Sequence, residues 1–460
     1  MNEKEKKITI LIIAGITSFI TPFMTSSLNI ALPTIEKEFL INPITLGWVQ
    51  TSYLLSTVIF LVPFGKIADI YGKKNKIFFC GLIVYTLSSV FIALSTNSTS
   101  LIFFRFLQGG GAAMIFSTNV AILTSSFPKN ERGKILGINT AFVYTGLSIG
   151  PFIGGFLTEK LGWRSIFYIN SFLGLITAIL FTKFKKNEVE TKMQIKTHKF
   201  DIIGTLIYSL SLTLFMYGTS TGEGIKLFLI LLATAGIIVF VLFENKKQNP
   251  ILEINLFRNN PVFLFSNISA LINYSATSAV GFLFSLYLQY IKGLKPSKAG
   301  LVLISQPVIM AIFSPVSGKI SDKIEPRIIS SIGMGITFIS LVMMFFINSN
   351  SSLNFILSSL IILGFGLSFF ASPNTNAVMS SVETKFYSQA SSILSTMRMV
   401  GQMMSMAVVM FVLSIKMGKT NITPEYYHLF LSSLKMLFMI FALMCFFGIF
   451  TSLKRGNIHQ

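Results

Sequence analysis

Long apolar stretches alternate with short polar links along the whole chain. A helix needs about 20 apolar residues to cross the hydrocarbon core of a bilayer. Outer-membrane barrels alternate apolar and polar residues in strands of about ten, so this pattern excludes a barrel. The pattern predicts fourteen transmembrane helices, at 8–32, 46–65, 77–95, 101–124, 135–158, 165–182, 201–219, 226–243, 262–290, 299–318, 328–347, 353–373, 388–414 and 430–452.

Two of the polar links carry the same pattern of glycine, lysine and aspartate. Gly65–Asp69 closes span 2 and Gly318–Asp322 closes span 10, each as Gly-Lys-Ile-x-Asp. A motif repeated at matching positions indicates two related halves. Membrane proteins built from such repeats are mostly transporters. If spans 7 and 8 form an inserted hairpin, span 10 becomes the second helix of the second half.

The predicted fold is an all-α membrane protein with two pseudo-symmetric six-helix bundles and an inserted two-helix hairpin. The densest basic stretch precedes the hairpin, and we interpret it as a cytoplasmic linker between the halves. The predicted units are an N-terminal bundle at 1–182, the linker at 183–200, the hairpin at 201–258 and a C-terminal bundle at 259–460.

Composition and charge agree with this topology. Only 12% of the residues are charged, whereas a soluble domain carries about 25%. The net charge is +20, but 25 of the 37 Lys and Arg residues fall on one side of the predicted spans, 9 on the other and 3 within them. By the positive-inside rule, both termini are expected in the cytoplasm of a prokaryotic cell, with the protein in its plasma membrane. We therefore expect no nucleic-acid partner.

The repeated links suggest a conformational latch. A two-bundle transporter must separate and rejoin its helices at their inner ends, and an aspartate there can accept hydrogen bonds from the N-terminus of a neighbouring helix. The alternative is an ordinary charged turn. The candidate latch residues are Gly65, Asp69, Gly72, Lys73, Gly318 and Asp322.

An arginine lies within span 4, where a charged side chain is costly. Arg105 is followed by Gln108 and a run of glycines. An intramembrane arginine costs at least about 2.5 kcal/mol on insertion scales, so it needs partners or an aqueous cavity. One interpretation is that Arg105 tunes a neighbouring protonatable or substrate group. The other is a structural clamp onto backbone carbonyls of span 1.

Glycines recur every four residues in span 5 and share one helix face, which favours close contact with another helix. Pro151 removes a backbone hydrogen bond within the same segment. A generic small-residue contact is the alternative interpretation. The residues of this motif are Gly146, Gly150, Pro151, Gly154 and Gly155.

The order of these motifs resembles the major facilitator superfamily, specifically its fourteen-span drug–proton antiporter branch. The span 5 motif is similar to that branch's antiporter signature, and Asn29–Pro33, Trp163–Asn170 and Arg398–Gly401 match further patterns of the family. The resemblance covers nearly the whole chain. It implies export of small amphipathic molecules, driven by proton entry.

One departure from the family's pattern concerns acidic residues. The branch usually carries an aspartate five residues before Asn29, where this chain has Met24. None of the 17 acidic residues lies in the middle of a predicted span, although a shielded carboxylate is the usual proton carrier. A neutral to positive cavity follows, which favours neutral, zwitterionic or anionic substrates over permanent cations. Coupling then depends on an edge carboxylate, with Glu223, Asp69 and Asp201 as candidates, or on a proton carried with the substrate.

Polar residues spaced three or four apart share a helix face and could line a substrate cavity. For any one of them, an interhelical hydrogen bond is the competing interpretation. The candidate lining residues are Thr21, Thr25, Asn29, Gln50, Tyr53, Asn139, Tyr144, Asn273 and Tyr274, with Arg398 and Gln108 as coupling or structural residues.

The expected partners are a small amphipathic substrate, protons and membrane lipid, and we expect a monomer. The two cysteines lie in apolar runs and the three histidines form no cluster, so we expect no metal and no cofactor. No nucleophile–base set appears, which argues against an enzyme. A lipid or glycolipid flippase is the main alternative, followed by a carrier without proton coupling, a channel and a non-transporting sensor.

Overall fold

The structure is a computed structural model. It describes residues 3–128, 131–186, 200–221, 223–247, 255–258, 260–383, 386–418 and 420–457. Within these ranges the chain is almost entirely helical and contains no strand. Fourteen helical segments of the described residues are long and apolar enough to cross a membrane, which confirms the fourteen predicted spans.

The first half and the hairpin contain eight helices in the described ranges. They are α1 (Glu3–Phe39), α2 (Pro43–Tyr71), α3 (Lys74–Ala93), α4 (Ser98–Ser125), α5 (Arg132–Leu161), α6 (Arg164–Lys186), α7 (Ile202–Ser220) and α8 (Glu223–Glu244).

The second half follows a short helix and contains two interrupted spans. The short helix is α9 (Asn255–Arg258). The helices of the second half are α10 (Pro261–Thr277), α11 (Val280–Leu286), α12 (Pro296–Leu303), α13 (Ser305–Ser321), α14 (Pro326–Phe345), α15 (Leu353–Ser380), α16 (Tyr387–Lys416) and α17 (Tyr427–Leu453). One predicted span therefore comprises α10, α11 and a π-helical turn at Tyr287–Ile291, and the next comprises α12 and α13.

The two halves repeat the same packing, so the predicted pseudo-symmetric pair of six-helix bundles is confirmed. In the first bundle α1 packs on α5, α2 on α4 and α3 on α6. In the second, α10 packs on α16, α13 on α15 and α14 on α17. Because the number of spans is even, the chain enters and leaves the helices at one end, here called the terminal face. The opposite end is the distal face.

The hairpin of α7 and α8 packs against both bundles. The Tyr208 hydroxyl donates to the Val58 carbonyl of α2 at 3.3 Å, and Lys226 Nζ donates to Ser414 of α16 at 2.6 Å. Its outer surface is apolar, with Phe228 64% exposed and Leu231 60% exposed. An apolar exposed surface is what a lipid-facing helix requires. The hairpin thus lies against helices of both bundles.

Helix α1 continues through Pro33 to Phe39, past the predicted end of span 1 at residue 32. Proline lacks the amide that would bond the carbonyl four residues earlier, and the hydroxyl of Ser285 from the second bundle donates to that carbonyl, on Asn29, instead. The prediction placed Glu36 in a polar link. The structure places it on the helix, where it is only 5% exposed.

Candidate functional site

Four side chains from four helices meet where the two bundles face each other. Tyr144 of α5 lies close to Ser314 of α13, and Tyr274 of α10 and Arg398 of α16 lie close to the same tyrosine. The Arg398 guanidinium carbon is 5.8 Å from the centre of the Tyr274 ring. Its Nη2 also donates to Thr375 Oγ1 at 2.5 Å. We call Tyr144, Tyr274, Ser314 and Arg398 the central cluster.

Several buried polar atoms of the described residues have no hydrogen-bond partner. They include Arg398 Nε, both amide atoms of Asn273, Asn29 Oδ1 and Gln50 Oε1. A buried polar group without a partner costs about 1–3 kcal/mol. These atoms therefore gain most from the polar atoms of a bound molecule. Two of the residues, Arg398 and Asn273, belong to the central cluster or directly precede one of its members in sequence.

The lining positions predicted on α1 mostly bond within the first bundle. The hydroxyl of Thr21 donates to the Thr17 carbonyl at 3.3 Å, and that of Thr25 to the Thr21 carbonyl at 3.1 Å. Asn139 accepts a hydrogen bond of 2.7 Å from Ser18, which also accepts from Asn119 at 3.0 Å. Asn139 thus belongs to a polar network that joins α1, α4 and α5.

Arg105 lies inside the first bundle, fully buried together with Gln108. Its Nε donates to the Val49 carbonyl at 3.1 Å and its Nη1 to Gln108 Oε1 at 2.6 Å, while its guanidinium carbon lies 4.5 Å from the centre of the Tyr53 ring. The backbone carbonyl comes from α2, whereas the structural interpretation expected span 1. Ion pairs among the described residues include Lys74 with Asp69, Arg164 with Glu38 and Lys247 with Asp201. Neither Arg105 nor Arg398 is among them.

The glycines of span 5 lie at close backbone contacts on two sides of α5. A methyl group added at Gly154 would lie 2.6 Å from the Ser27 Cα of α1, and one added at Gly155 would lie 2.5 Å from the Pro296 carbonyl oxygen of the second bundle. Gly146 and Gly150 likewise face the backbone of α1. The motif therefore brings α5 against α1 and against the start of α12 at the distal face.

Hydrogen bonds between the bundles cluster at this distal face, and we call them the distal seam. Ser285 donates to the Asn29 carbonyl, and Gln289 Nε2 donates to the Ile30 carbonyl at 3.0 Å. Further bonds run from Tyr290 to Glu36 and from Ser297 to Glu159. The bundles are thus joined at the distal face.

At the terminal face the two repeated links bond within their own bundles. Asp69 pairs with Lys74 of α3 at 3.2 Å, and Asp322 accepts a hydrogen bond of 3.1 Å from Asn376 of α15. Gly72 adopts a φ of 63°, which lets α2 end in a tight turn before α3. Lys73 lies 5.8 Å from the centre of the Tyr71 ring. Gly318 packs against Ser372 of α15.

Sequence reasoning named only part of this arrangement. It found Tyr144, Tyr274 and Arg398 but not Ser314, whose distant place in the sequence gives no sign that it meets Tyr144. It also missed the buried Glu36 and its partner Tyr290. The side chain of Glu223 and most of the predicted linker, residues 187–199, lie outside the described residues.

Comparison with known proteins identifies the family. The model of the Major Facilitator Superfamily matches residues 14–406. The riboflavin transporter RibZ of Clostridioides difficile is 34% identical over 394 residues, covering 86% of this chain and 85% of its own. The multidrug resistance protein Stp of Mycobacterium tuberculosis is 28% identical and covers 89% and 76%. The cephamycin export protein CmcT of Amycolatopsis lactamdurans is 28% identical and covers 88% and 84%.

Solved structures share the fold. A bacterial homologue of the human lysosomal transporter Spinster, in an inward-facing unoccupied conformation, superimposes with a TM-score of 0.67 at 15% identity and covers 98% of this chain and 96% of its own. The POT family transporter PepTSo gives a TM-score of 0.68 at 14% identity, covering 96% and 98%. With the family model matching most of the chain, this protein belongs to the major facilitator superfamily of membrane transporters.

Proposed function

We propose that the protein is a secondary active transporter that exports small amphipathic compounds from a prokaryotic cell by proton-coupled alternating access. It acts as a monomer in the plasma membrane, with the terminal face in the cytoplasm. The excess of basic residues at that face supports this orientation. The joined distal seam and the separately bonded Asp69 and Asp322 support a state that is open toward the cytoplasm.

The central cluster carries this proposal, because it brings together groups from both bundles that suit one kind of molecule. Tyrosine rings offer faces for stacking on a flat aromatic system. A guanidinium stacks as well and presents planar donors to acceptor atoms. Arg398 Nε and the Asn273 amide are buried without partners, so they favour a substrate with a polar edge. A flat, uncharged heterocycle with carbonyl and ring-nitrogen acceptors combines these features.

A permanent cation suits the same place poorly. Two like charges about 6 Å apart repel by about 3 kcal/mol at the effective dielectric constant of roughly 20 that describes protein sites. Arg398 has no ion pair among the described residues that would cancel its charge. We therefore propose neutral substrates ahead of quaternary ammonium compounds.

The relatives support a substrate of this kind. RibZ is named a riboflavin transporter and matches 86% of this chain. Riboflavin is flat, uncharged near neutral pH and amphipathic, so it is the first compound to test. The names of Stp and CmcT concern multidrug resistance and cephamycin export, which supports outward transport of varied organic molecules.

Transport into proteoliposomes tests the proposal. Vesicles with the terminal face outward and an acidic lumen receive riboflavin, the planar cation ethidium or a fluorescent phosphatidylglycerol. We expect riboflavin to accumulate above equilibrium and to leak out when an uncoupler removes the pH gradient. Equilibration without accumulation would overturn proton coupling. Movement of the lipid analogue alone would favour a flippase instead.

A substitution in the central cluster adds a test of the site. Arg398→Gln removes the stacking cation, so riboflavin transport should fall about tenfold while ethidium transport rises. Lys435→Gln is the matched control, because Lys435 is also a cation within a span but is exposed on α17. Equal effects of the two substitutions would contradict the proposed site.

A further inference from the structure

A carboxyl group is buried in the distal seam, on the part of α1 that continues beyond Pro33. Glu36 is 5% exposed. Its Oε2 accepts a hydrogen bond of 2.8 Å from the Tyr290 hydroxyl, and the backbone of Ile422 lies close to the same carboxyl group. Tyr290 lies in the π-helical turn after α11, and Ile422 lies in the loop before α17. One carboxyl group therefore joins the first bundle to two separate segments of the second.

The other ionisable groups around Glu36 come from three elements. Lys37, the next residue of α1, lies with its Nζ 5.7 Å from the centre of the Tyr290 ring and acts on the Glu36 carboxyl by charge. Tyr290 itself faces Glu36 from the π-helical turn, and Tyr427 at the start of α17 faces Tyr290. Among these groups, Lys37 carries the charge that acts on the Glu36 carboxyl group, whereas Tyr290 and Tyr427 are neutral.

Glu38 provides a contrast only two residues away. It pairs with Arg164 at 2.7 Å and accepts a hydrogen bond of 2.6 Å from the Trp163 indole, with its side chain 38% exposed. All three residues belong to the first bundle, so opening the distal seam leaves these contacts intact. Glu36 differs because its partners move away when the bundles separate.

The protonation state of Glu36 therefore affects closure of the seam. Moving a carboxylate out of water costs far more than moving a neutral carboxylic acid. The Tyr290 hydroxyl and the nearby Lys37 offset part of this cost, but in the closed seam the carboxyl group has lost nearly all of its contact with water. When the distal face opens, the Glu36 carboxyl group returns to water, and the difference in desolvation cost between its charged and neutral forms disappears. Protonation then stabilises the closed seam relative to the open one.

We propose that Glu36 is a proton-binding residue of the distal gate, whose protonation from the distal side closes the seam. Its place in the cycle depends on the proposed export function. After the substrate leaves on the distal side, an acidic exterior closes the gate and returns the carrier to the state open at the terminal face. Glu36 would thus link the external pH to the resetting step.

Distances across the distal face test this proposal without any substrate. Asn97 and Asn350 lie exposed in distal loops of the first and second bundles, so Asn97→Cys and Asn350→Cys accept spin labels in a chain carrying Cys80→Ser. Double electron–electron resonance in lipid nanodiscs between pH 5 and pH 9 gives the ratio of short to long distances. With one proton linked to closure, this ratio should fall by up to about tenfold per pH unit as pH rises.

Three substitutions in the labelled chain decide the role of Glu36. Glu36→Gln mimics the protonated group, so the short distance should dominate at every pH. Tyr290→Phe removes a donor to the carboxylate, so the long-distance population should rise about tenfold at pH 9 and change less at pH 5. Glu38→Gln should keep the pH response of the unsubstituted chain.

Two results would overturn the proposal. One is a pH response that Glu36→Gln leaves unchanged, and the other is an unsubstituted chain whose distances do not depend on pH. Either result leaves the proposed transport function standing, because the distance measurement involves no substrate. Conversely, a failure of riboflavin transport with a normal pH response would overturn the proposed function and leave the gate residue in place.

Discussion

Single atoms limit how closely the two bundles approach at the distal face. Gly155 of α5 faces the Pro296 carbonyl of α12, and an added methyl group there would lie 2.5 Å from that oxygen. Real side chains do not tolerate such a distance, and the neighbouring atom belongs to the backbone, which cannot move aside as a flexible side chain can. The glycine therefore matters for the distal seam between bundles, whereas Gly154 matters for the contact of α5 with α1.

Replacing Gly155 tests this distinction. Gly155→Ala should weaken closure of the distal seam by about 1–3 kcal/mol, the usual cost of overpacking. The spin-labelled pair Asn97→Cys and Asn350→Cys should then show mainly the long distance. Gly137→Ala, in the same helix with open space around it, should leave the distances unchanged. Equal distances for both alanine variants would contradict the assignment.

Arg105 makes its contacts within one bundle, which predicts a structural role. Arg105→Met leaves the Val49 carbonyl and Gln108 without a donor, at about 1–3 kcal/mol for each buried group. We expect a lower thermal unfolding temperature in detergent, with the folded fraction still able to transport riboflavin. The unfolding temperature of Arg105→Lys should lie between those of the unsubstituted protein and Arg105→Met, since a lysine cannot reproduce the planar fork of donors of the guanidinium. A normal unfolding temperature together with abolished transport would favour the tuning role.

The helical elements were predicted well and their ends less well. Runs of apolar residues specify fourteen spans because a bilayer demands that length, and all fourteen are present in the described residues. The predicted end of span 1 was wrong. Pro33 leaves the Asn29 carbonyl without its helical partner, and only the folded molecule shows that the Ser285 hydroxyl donates to it. The interruptions around Ala279 and Ile304 were missed for the same reason, since local sequence does not show which bundle supplies compensating contacts.

The residues of the candidate site were likewise predicted only in part. Arg398 could be named from sequence because a charge within a span is costly. Ser314 and Glu36 could not, because a serine is common in helices and the predicted spans place Glu36 in a link. Their significance arises from residues far away in the chain that meet them across the boundary between bundles.

The repeated links belong to the scale of elements, since each joins the end of one helix to the next. The pair of Asp69 and Lys74 lies at the surface with Asp69 exposed, and such pairs contribute about 0–1 kcal/mol to stability. The double change Asp69→Asn and Asp322→Asn should therefore leave the unfolding temperature nearly unchanged but abolish transport, if the aspartates act when the terminal face closes.

A matched variant separates the aspartate from its ion pair. Lys74→Met breaks the same pair while keeping Asp69, so transport of riboflavin into proteoliposomes should persist. If Lys74→Met and the double aspartate change reduce transport equally, the ion pair itself is the important contact. Normal transport by the double aspartate variant would remove the latch role altogether.

At the scale of the molecule, two bundles with the same internal packing meet along one boundary. The distal seam closes one end of that boundary, and the central cluster lies along it. The hairpin of α7 and α8 contacts α2 on one side and α16 on the other. Rocking of the bundles about the central cluster would open the two ends in turn, as the proposed alternating access requires.

Reversible cross-linking of the distal seam during transport tests this account most directly. Glu159→Cys and Ser297→Cys place one thiol on each bundle, at residues that are hydrogen-bonded across the seam, in a chain carrying Cys80→Ser. Glu38→Cys and Arg164→Cys form the control pair within the first bundle, at an ion pair of 2.7 Å. A bifunctional thiol reagent is applied to each pair, and riboflavin accumulation is measured before and after reduction.

We predict that cross-linking Glu159→Cys to Ser297→Cys stops accumulation, that reduction restores it, and that the control pair transports throughout. Riboflavin accumulation at the full rate with the seam completely cross-linked would contradict alternating access between the two bundles.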